Sequence, residues 1–289
     1  MGLVASDPRS LLALEGRDGG WGYRGGSSWT EPTAYAVLAL AACGYAGEAT
    51  VRGLEWLRRA QRRDGGWPPH PAVDTSTWVT ALPLLLSGER SGWGDAGGAA
   101  DWLLRQSGRE SGWLHRLRAW MLGTPSNAAE RFPGWPFYPR TAAWVVPTAL
   151  TILALEKATR PNPSAEVRER LEAGRAFLLA RRCRDGGWNH GSSRALGYEA
   201  GSYPETTGVA LLALRGVPRA QLGRSLGVAE EAYRRCRSAE GLAWLRLALT
   251  VHGVSADALP AGVRCRHTVD AALVLLAEAA AQGRNLFIG

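Results

Sequence analysis

Two kinds of hydrophobic pattern alternate along the chain. The first is apolar on almost every side, as in AYAVLALAA from Ala34 to Ala42. The second is amphipathic and rich in arginine, as in VRGLEWLRRAQRR from Val51 to Arg63. Helices that are apolar all round are buried, whereas amphipathic helices lie at the surface. The pattern therefore predicts inner helices that begin near Thr33, Ser76, Thr148, Thr207, Glu240 and Thr268. It predicts outer helices over residues 7–15, 51–63, 99–106, 165–182 and 223–236, and a sixth that is short or irregular.

A short motif precedes three of the inner helices. GRDGGW ends at Trp21, RRDGGW at Trp67 and CRDGGW at Trp188, and a fourth copy with a shortened turn begins at Pro133. A signature of hydroxyl residues, acids and proline follows each copy, and these residue types favour the first turn of a helix. One common register aligns Glu31, Asp74, Val146 and Glu205, so each is predicted at the start of an inner helix.

The three motifs and their signatures resemble the tryptophan-containing repeats of squalene-hopene cyclases, other class II terpene cyclases and prenyltransferase β subunits. The resemblance extends over nearly the whole chain. It implies one all-α domain over residues 1–289, an (α/α)6 toroid of about six helix pairs around a central, aromatic-lined cavity. In that family the tryptophan packs between neighbouring helices and the acid caps backbone amides, which makes the motif a structural link between repeats.

Composition narrows the functional classes. No segment approaches the roughly 18 uninterrupted apolar residues of a membrane-spanning helix, and no basic flank precedes the N-terminal apolar run, which predicts a soluble, cytoplasmic protein. The net charge is +8, but the arginines are spread along the chain and no nucleic-acid motif accompanies them. We therefore expect no nucleic-acid partner, and favour a diphosphate or an anionic lipid headgroup, with peripheral membrane contact left open. The oligomeric state is also left open.

The resemblance to class II cyclases directs attention to Asp74. Those enzymes use an Asp-x-Asp-Asp motif whose middle acid protonates a carbon–carbon double bond, and here only Asp74 of the matching stretch Ala72–Ser76 is an acid. Burial would raise its pKa and keep it protonated, whereas the helix N-terminus opposes this only weakly. Glu31 and Glu205 occupy the same register and could share the task. The alternative is that all three acids serve only as helix caps.

Aromatic residues and one basic pair complete the candidate site. Tyr35, Trp78, Trp144 and Trp244 lie on or just before inner helices, where their ring faces would attract a carbocation by about 0.5–2 kcal/mol each. The same rings would also suit an apolar ligand or fill the barrel. Arg266 and His267 stand together at the last inner-helix start, with Arg266 a candidate for substrate binding and His267 for catalysis.

The prenyltransferase comparison depends on zinc. Its Asp, Cys and His ligands would fall on Glu205, Thr207 and His267, so the metal-bound thiolate is missing and a zinc enzyme is disfavoured. We predict no metal and no cofactor, with Mg²⁺ involved only if the substrate is a diphosphate. The leading hypothesis is an enzyme that cyclises or isomerises an isoprenoid with Asp74 as general acid. The alternatives are a toroid that binds a hydrophobic ligand, with other chemistry or none, and a protein-interaction scaffold with a plugged cavity.

Overall fold

The computed structural model describes residues 3–4, 7–45, 47–87, 95–111, 121, 132–191, 194–195, 198–260 and 262–288. Helices are the main secondary structure of this part of the chain, and loops and turns connect them. Its helices are α1 (Pro8–Leu12), α2 (Thr30–Ala42), α3 (Glu48–Ala60), α4 (Ala81–Leu84), α5 (Ala96–Leu104), α6 (Val145–Ala158), α7 (Ala165–Ala180), α8 (Pro204–Ala213), α9 (Arg219–Arg235), α10 (Ala239–Val251) and α11 (Thr268–Ala281). A 3₁₀ turn, Trp78–Thr80, leads into α4, and another, Arg109–Ser111, follows α5.

Two short antiparallel strand pairs accompany the helices. β1 (Leu3–Val4) pairs with β4 (Arg264–Cys265), and β2 (Arg194–Ala195) pairs with β3 (Tyr198–Glu199). The first pair joins residues near the start of the chain to the segment just before α11. It therefore helps to bring the two ends of the fold together.

Six of the helices form a closed inner ring. In the order α2, α4, α6, α8, α10 and α11, each helix contacts the next, and α11 contacts α2 again. Almost every residue of these helices is buried, as their all-round apolar sequences predict. The ring is the hydrophobic core of the molecule.

The inner helices begin at the same end of the ring. The first N–H of an inner helix repeatedly donates to a carbonyl in the loop that leads into the next one, as from Thr30 to Pro69 at 3.0 Å and from Val145 to His190 at 2.9 Å. The ring closes in the same way, because Thr268 of α11 donates to Tyr23 before α2 at 2.9 Å. We call this end, where the helices begin, the mouth.

The outer helices lie where the amphipathic segments predicted them, within a few residues. α1 contacts α2 and α11, α3 contacts α2, α5 contacts α4 and α6, α7 contacts α6, and α9 contacts α8 and α10. The described residues between α10 and α11, 252–260 and 262–267, contain no helix. An all-α toroid is therefore shown, whereas six complete helix pairs stay a prediction.

Each DGGW-type turn links an outer helix to an inner helix through its tryptophan, which is at most 1% exposed. The indole N–H donates at 2.6–2.8 Å to an outer-helix carbonyl, from Trp21, Trp67, Trp135 and Trp188 to Leu11, Leu57, Leu103 and Leu178. The tryptophan backbone N–H donates at 2.8–3.0 Å to an inner-helix hydroxyl, that of Thr33, Thr80, Thr148 and Thr207. The motif thus satisfies buried polar groups of three segments at once.

The glycines and the acid shape the turn itself. The first glycine of each DGGW has a positive φ, as at Gly186 with +110°, a region that L side chains rarely adopt. The aspartate accepts from the N–H of the second glycine, as Asp185 does from Gly187 at 2.9 Å. It also accepts from a serine further along the loop, Ser202 in this copy at 3.0 Å. These aspartates therefore hold the loop closed.

The second repeat departs from the predicted register. The hydroxyl that accepts from the Trp67 N–H belongs to Thr80, whereas the sequence alignment put Ser76 at that position. Ser76 instead donates to Asp64 at 2.8 Å, which is the role of the loop serine in the other copies. The helical segment therefore begins at Trp78 rather than near Ser76, and Asp74 lies in the loop before it.

Candidate active site

Four carboxylates lie in the first turns of four consecutive inner helices. Glu31, Glu205 and Glu240 are each the second residue of their helix, in α2, α8 and α10, and Asp270 is the third residue of α11. Because these helices are neighbours in the ring and begin at the same end, the four side chains lie at the mouth. Glu240 interacts electrostatically with the other three. We call these four residues the acid cluster.

Glu240 has a strongly raised pKa. Burial raises its pKa from the usual 4.5 to about 7, and repulsion by Glu205, Glu31 and Asp270 adds to the effect. Arg266 and the α10 N-terminus favour the ionised form, but a helix terminus contributes only about 0.3–1 kcal/mol. A carboxyl group with a pKa near 7 can hold a proton at neutral pH and release it, as a general acid requires.

Glu31 is surrounded by protein but keeps part of its surface accessible. Burial raises its pKa, although a hydrogen bond from the Tyr23 hydroxyl opposes the rise. Burial and the Glu31 charge also raise the pKa of Tyr23, so this tyrosine stays a phenol and a donor. Glu31 is therefore held in place by Tyr23.

Asp270 is the most buried member of the acid cluster, at 0% exposure. Its Oδ2 accepts from the Arg266 backbone N–H at 2.7 Å. Its Oδ1 is buried and has no hydrogen-bond partner among the described residues, and His267 Nε2 lies 3.7 Å away. An unpaired oxygen at this position leaves a site for a hydrogen-bond donor.

His267 and Arg266 lie beside Asp270. His267 is the N-cap of α11, and its Nδ1 accepts from the Asp270 N–H at 3.3 Å. Burial lowers the pKa of His267 more than the charge of Asp270 raises it. The neutral ring can therefore act as an acceptor within the helix cap. The Arg266 guanidinium lies 3.8 Å from Asp270 Oδ2 and is 65% exposed.

Two of the predicted aromatic residues lie at the mouth. Trp144 is the N-cap of α6 and is 37% exposed, and Trp78 begins the 3₁₀ turn before α4. Phe137 joins them, with ring centroids 5.4 Å from Trp78 and 5.9 Å from Trp144. Tyr203, the N-cap of α8, is 47% exposed. The mouth is therefore rimmed by partly exposed rings.

The other two predicted aromatic residues lie one helical turn below the acid cluster. Tyr35 follows Glu31 by four residues and Trp244 follows Glu240 by four, so each ring lies on the helix face that carries the acid. The two rings are 6.3 Å apart at their centroids. Phe287 of the C-terminal segment lies 5.2 Å from Trp244, and all three are at most 4% exposed. They form an aromatic floor beneath the acids.

Asp74 does not belong to this site. Its side chain is 94% exposed and pairs with Arg62 at 2.6 Å. The predicted placement at an inner-helix start was wrong because the true hydroxyl position of this repeat is Thr80, four residues beyond Ser76. Trp78, rather than an acid, begins the helical segment there.

Sequence reasoning missed Glu240, Asp270, Tyr23 and Phe137 as site residues. No DGGW precedes α10 or α11, so the repeat alignment had no anchor for the two acids. One signal was available, because a glutamate followed four residues later by an aromatic residue occurs in both α2 and α10. That spacing places an acid above a ring on one helix face.

The described residues hold no group of three or more His, Cys, Asp or Glu side chains arranged to bind a metal ion. The positions compared with zinc ligands, on α8 and at the start of α11, are among the residues covered by this finding. In the part of the chain that the structure describes, no helix is both long and apolar enough to cross a lipid bilayer.

Comparison with known proteins gives one partial sequence match, and no family model matches the chain. Drimenyl diphosphate synthase from Streptantibioticus cattleyicolor is 45% identical over 65 residues. The match covers 22% of this chain and 12% of the synthase. The shared segment is thus a small part of both proteins.

Solved structures of two enzyme classes share the fold. The endo-β-1,4-glucanase CMCax from Acetobacter xylinum has a TM-score of 0.62 at 13% identity and covers 98% of this chain and 99% of its own. The family 8 glycosyl hydrolase Cel10 from Klebsiella pneumoniae has a TM-score of 0.60 at 15% identity, over 95% and 97% of the two chains. The type II terpene cyclase MstE from Scytonema has a TM-score of 0.56 at 21% identity, and the similarity covers 96% of this chain and 76% of MstE. A variant of MstE has been solved with geranylgeranyl dihydroxybenzoate as substrate. These similarities show the α/α toroid fold.

Proposed function

We propose that this protein is a class II terpene cyclase-like enzyme in which Glu240, rather than Asp74, is the general acid. One observation carries the proposal: the pKa of Glu240 is raised to about 7, and Trp244, one turn further along the same helix, has its ring centroid 6.3 Å from that of Tyr35. The substrate class is an apolar isoprenoid, bound with its reacting double bond near the acid cluster.

The chemistry needs only the groups of this chain. Glu240 gives its proton to one carbon of the double bond, and the other carbon becomes a cation. Attack by a second double bond forms a ring and moves the positive charge. Loss of a proton from a neighbouring carbon to a carboxylate, Glu240 itself or Glu205, ends the reaction and leaves the number of atoms unchanged. The aromatic floor favours the cationic intermediates by about 0.5–2 kcal/mol per ring.

The neighbouring carboxylates assist this reaction in two ways. Their charges raise the pKa of Glu240 and so keep it protonated before the substrate reacts. They also favour a positive charge that develops nearby. Tyr23 and the Arg266 N–H position Glu31 and Asp270 through the hydrogen bonds described above.

The comparisons support this choice over a generic toroid. Drimenyl diphosphate synthase is 45% identical over the 65 matched residues, and a variant of MstE, which has the same fold, has been solved with geranylgeranyl dihydroxybenzoate as substrate. We expect protonation to require no cofactor, with Mg²⁺ needed only for a diphosphate substrate. We also treat residues 1–289 as one catalytic domain.

Glycoside hydrolysis is the second candidate, because the glucanases superpose over nearly the whole chain. Glycosidases use a carboxylic acid of raised pKa beside a carboxylate, and the acid cluster offers both. A rim of partly exposed rings also suits stacking of sugars. A toroid that holds a hydrophobic ligand without turnover is the third candidate.

Product analysis separates the three. We would incubate the protein with polyprenyl diphosphates of several lengths and with squalene, with and without Mg²⁺, and in parallel with carboxymethylcellulose. A cyclised product that disappears in Glu240→Gln, but persists in the exposed α7 control Glu169→Gln, supports the proposal. Release of reducing sugar would contradict the cyclase proposal and support glycoside hydrolysis. Unchanged substrates from folded protein would leave only ligand binding.

A further inference from the structure

A second pocket lies at the end of the ring opposite the mouth. It is formed by residues that follow the C-terminal ends of α6 and α8 and by the first turns of α7, and its volume is about 470 Å³. The 14 residues of α6 separate the two ends by roughly 20 Å at 1.5 Å per residue. The pocket is therefore distinct from the acid cluster, and its volume is in the range of small-molecule sites.

The charged lining of this pocket is strongly biased towards arginine. Its charged members are Arg160, Arg168, Arg175, Arg215, Glu156 and Glu172, which give a net charge of +2. Clustered guanidinium groups repel one another unless an anion lies between them. We call these four arginines the arginine cluster.

Glu156 compensates only part of this charge. One of its oxygens pairs with Arg175 and the other with Arg215, so a single carboxylate serves two guanidinium groups. Arg215 Nη1 and Arg175 Nε are buried and have no hydrogen-bond partner among the described residues. Buried charged donors are normally paired, so these two atoms indicate a missing acceptor.

The lowered pKa values of two of these arginines agree with a pocket whose positive charge is only partly neutralised. Burial lowers the pKa of Arg215 to about 10, and the charge of Arg160 adds to the effect. Burial also lowers the pKa of Arg175, helped by the charge of Arg215. An anion in the pocket would reverse these shifts.

The helix dipoles favour only some of these arginines at their positions. Arg160 and Arg215 follow the C-termini of α6 and α8, where cations are favourable, and Arg160 donates to the Ile288 carbonyl at 2.5 Å. Arg168, however, lies in the first turn of α7, where the helix dipole disfavours a cation, and its Nη1 donates to the Pro163 carbonyl at 2.6 Å. A bound anion would compensate a cation at that position.

We propose that the arginine cluster binds a phosphate-bearing anion, and that diphosphate, which offers oxygens to several guanidinium groups at once, is its ligand. Guanidinium groups bind phosphate oxygens in a bidentate manner, which suits four of them around one pocket. Arg215 and Arg175 bind the buried part of the anion, and Arg160 and Arg168 bind its exposed part. The inference does not depend on the proposed function at the mouth.

Isothermal titration with inorganic diphosphate tests the proposal on the full chain. Arg215→Met removes the buried donor and is expected to weaken binding at least tenfold. Arg168→Gln changes an exposed side chain whose Nη1 donates to the Pro163 carbonyl at 2.6 Å, and is expected to weaken binding about threefold. Arg235→Gln, on the exposed face of α9 with an 81% exposed side chain, is the matched control and should bind as the wild type does.

A second arm distinguishes the source of the phosphate group. Sedimentation with phosphatidylcholine vesicles, with and without phosphatidic acid, reports binding of a lipid headgroup. Co-sedimentation with phosphatidic acid that diphosphate reverses assigns the site to a lipid, whereas titration heat without co-sedimentation assigns it to a soluble anion. Absence of binding in both arms, or equal affinity in all three variants, would overturn the proposal. Turnover is not measured, so neither result depends on the acid cluster.

Discussion

Replacing Glu240 with Gln should stabilise the protein at high pH and leave its stability unchanged at low pH. The folded-state pKa of about 7 lies above the usual 4.5, so the folded protein binds this proton more tightly than the unfolded chain does. Below about pH 4.5 the Glu240 carboxyl is protonated in both states and does not change the free energy of unfolding. Between pH 4.5 and 7 the unfolded state ionises first, and the folded state loses stability relative to it. Above pH 7 the loss is constant.

The size of the effect follows from the pKa difference. At about 1.4 kcal/mol per pKa unit, ionisation of Glu240 costs the folded protein about 3 kcal/mol above pH 7. Glutamine keeps the shape without the charge, and it also relieves repulsion of Glu31, Glu205 and Asp270. A gain of about 3 kcal/mol corresponds to a rise in Tm of roughly 5 °C for a domain of this size.

Thermal unfolding by calorimetry at pH 4.5, 6 and 8 measures this dependence. We expect the Tm of Glu240→Gln to equal that of the wild type at pH 4.5 and to exceed it by several degrees at pH 8. The exposed control Glu169→Gln should show no such trend. Equal Tm values at pH 8, or a difference already present at pH 4.5, would refute the reasoning that Glu240 is a buried acid of raised pKa.

Three further substitutions test other parts of the structure. Trp188→Phe removes the indole hydrogen bond to the buried Leu178 carbonyl and should cost about 2–3 kcal/mol in urea unfolding, whereas no loss would show that the indole bond does not hold the helices together. Asp74→Asn removes only an exposed ion pair, so stability should change by less than about 1 kcal/mol and turnover should not change, and a large fall in turnover would restore Asp74 as the acid. Phe287→Ala opens the floor beside Trp244, so we expect a loss of about 3 kcal/mol and conversion of longer isoprenoids in the product assay; an unaltered substrate range would exclude Phe287 from the cavity.

Much of the fold could be predicted because its local signals agree with its tertiary packing. The all-round apolar run of α2 is buried in the ring, and the amphipathic pattern of α3 lies at the surface. The DGGW copies repeat because each turn performs the same task, in which Trp188 joins a carbonyl of α7 to a hydroxyl of α8. The motif could be recognised in the sequence because the same contacts recur in each repeat that carries it.

The register of the second repeat could not be predicted in the same way. The segment from Asp74 to Thr80 contains hydroxyl residues at both Ser76 and Thr80, and each fits the local rules for a helix start. Only the hydrogen bond from Trp67 selects Thr80, and that bond is a tertiary contact. The choice of Asp74 as general acid followed from this four-residue error.

The acid cluster combines predicted and unpredicted residues for a related reason. Glu31 and Glu205 follow well-formed motifs, so their register positions were correct. Glu240 and Asp270 belong to repeats without the motif, and their convergence depends on closure of the ring between α11 and α2. The pKa of Glu240 depends on that closure as well, since it results from burial and from charges on three other helices.

Turnover in D₂O tests the central claim most directly. In D₂O, Glu240 exchanges its proton for deuterium and delivers it to the substrate, so mass spectrometry of the cyclised isoprenoid should show retained deuterium. Glu240→Gln should give no product, and the exposed control Glu169→Gln should give the labelled one. A cyclised product without deuterium, or undiminished product from Glu240→Gln, would contradict protonation of the substrate by Glu240.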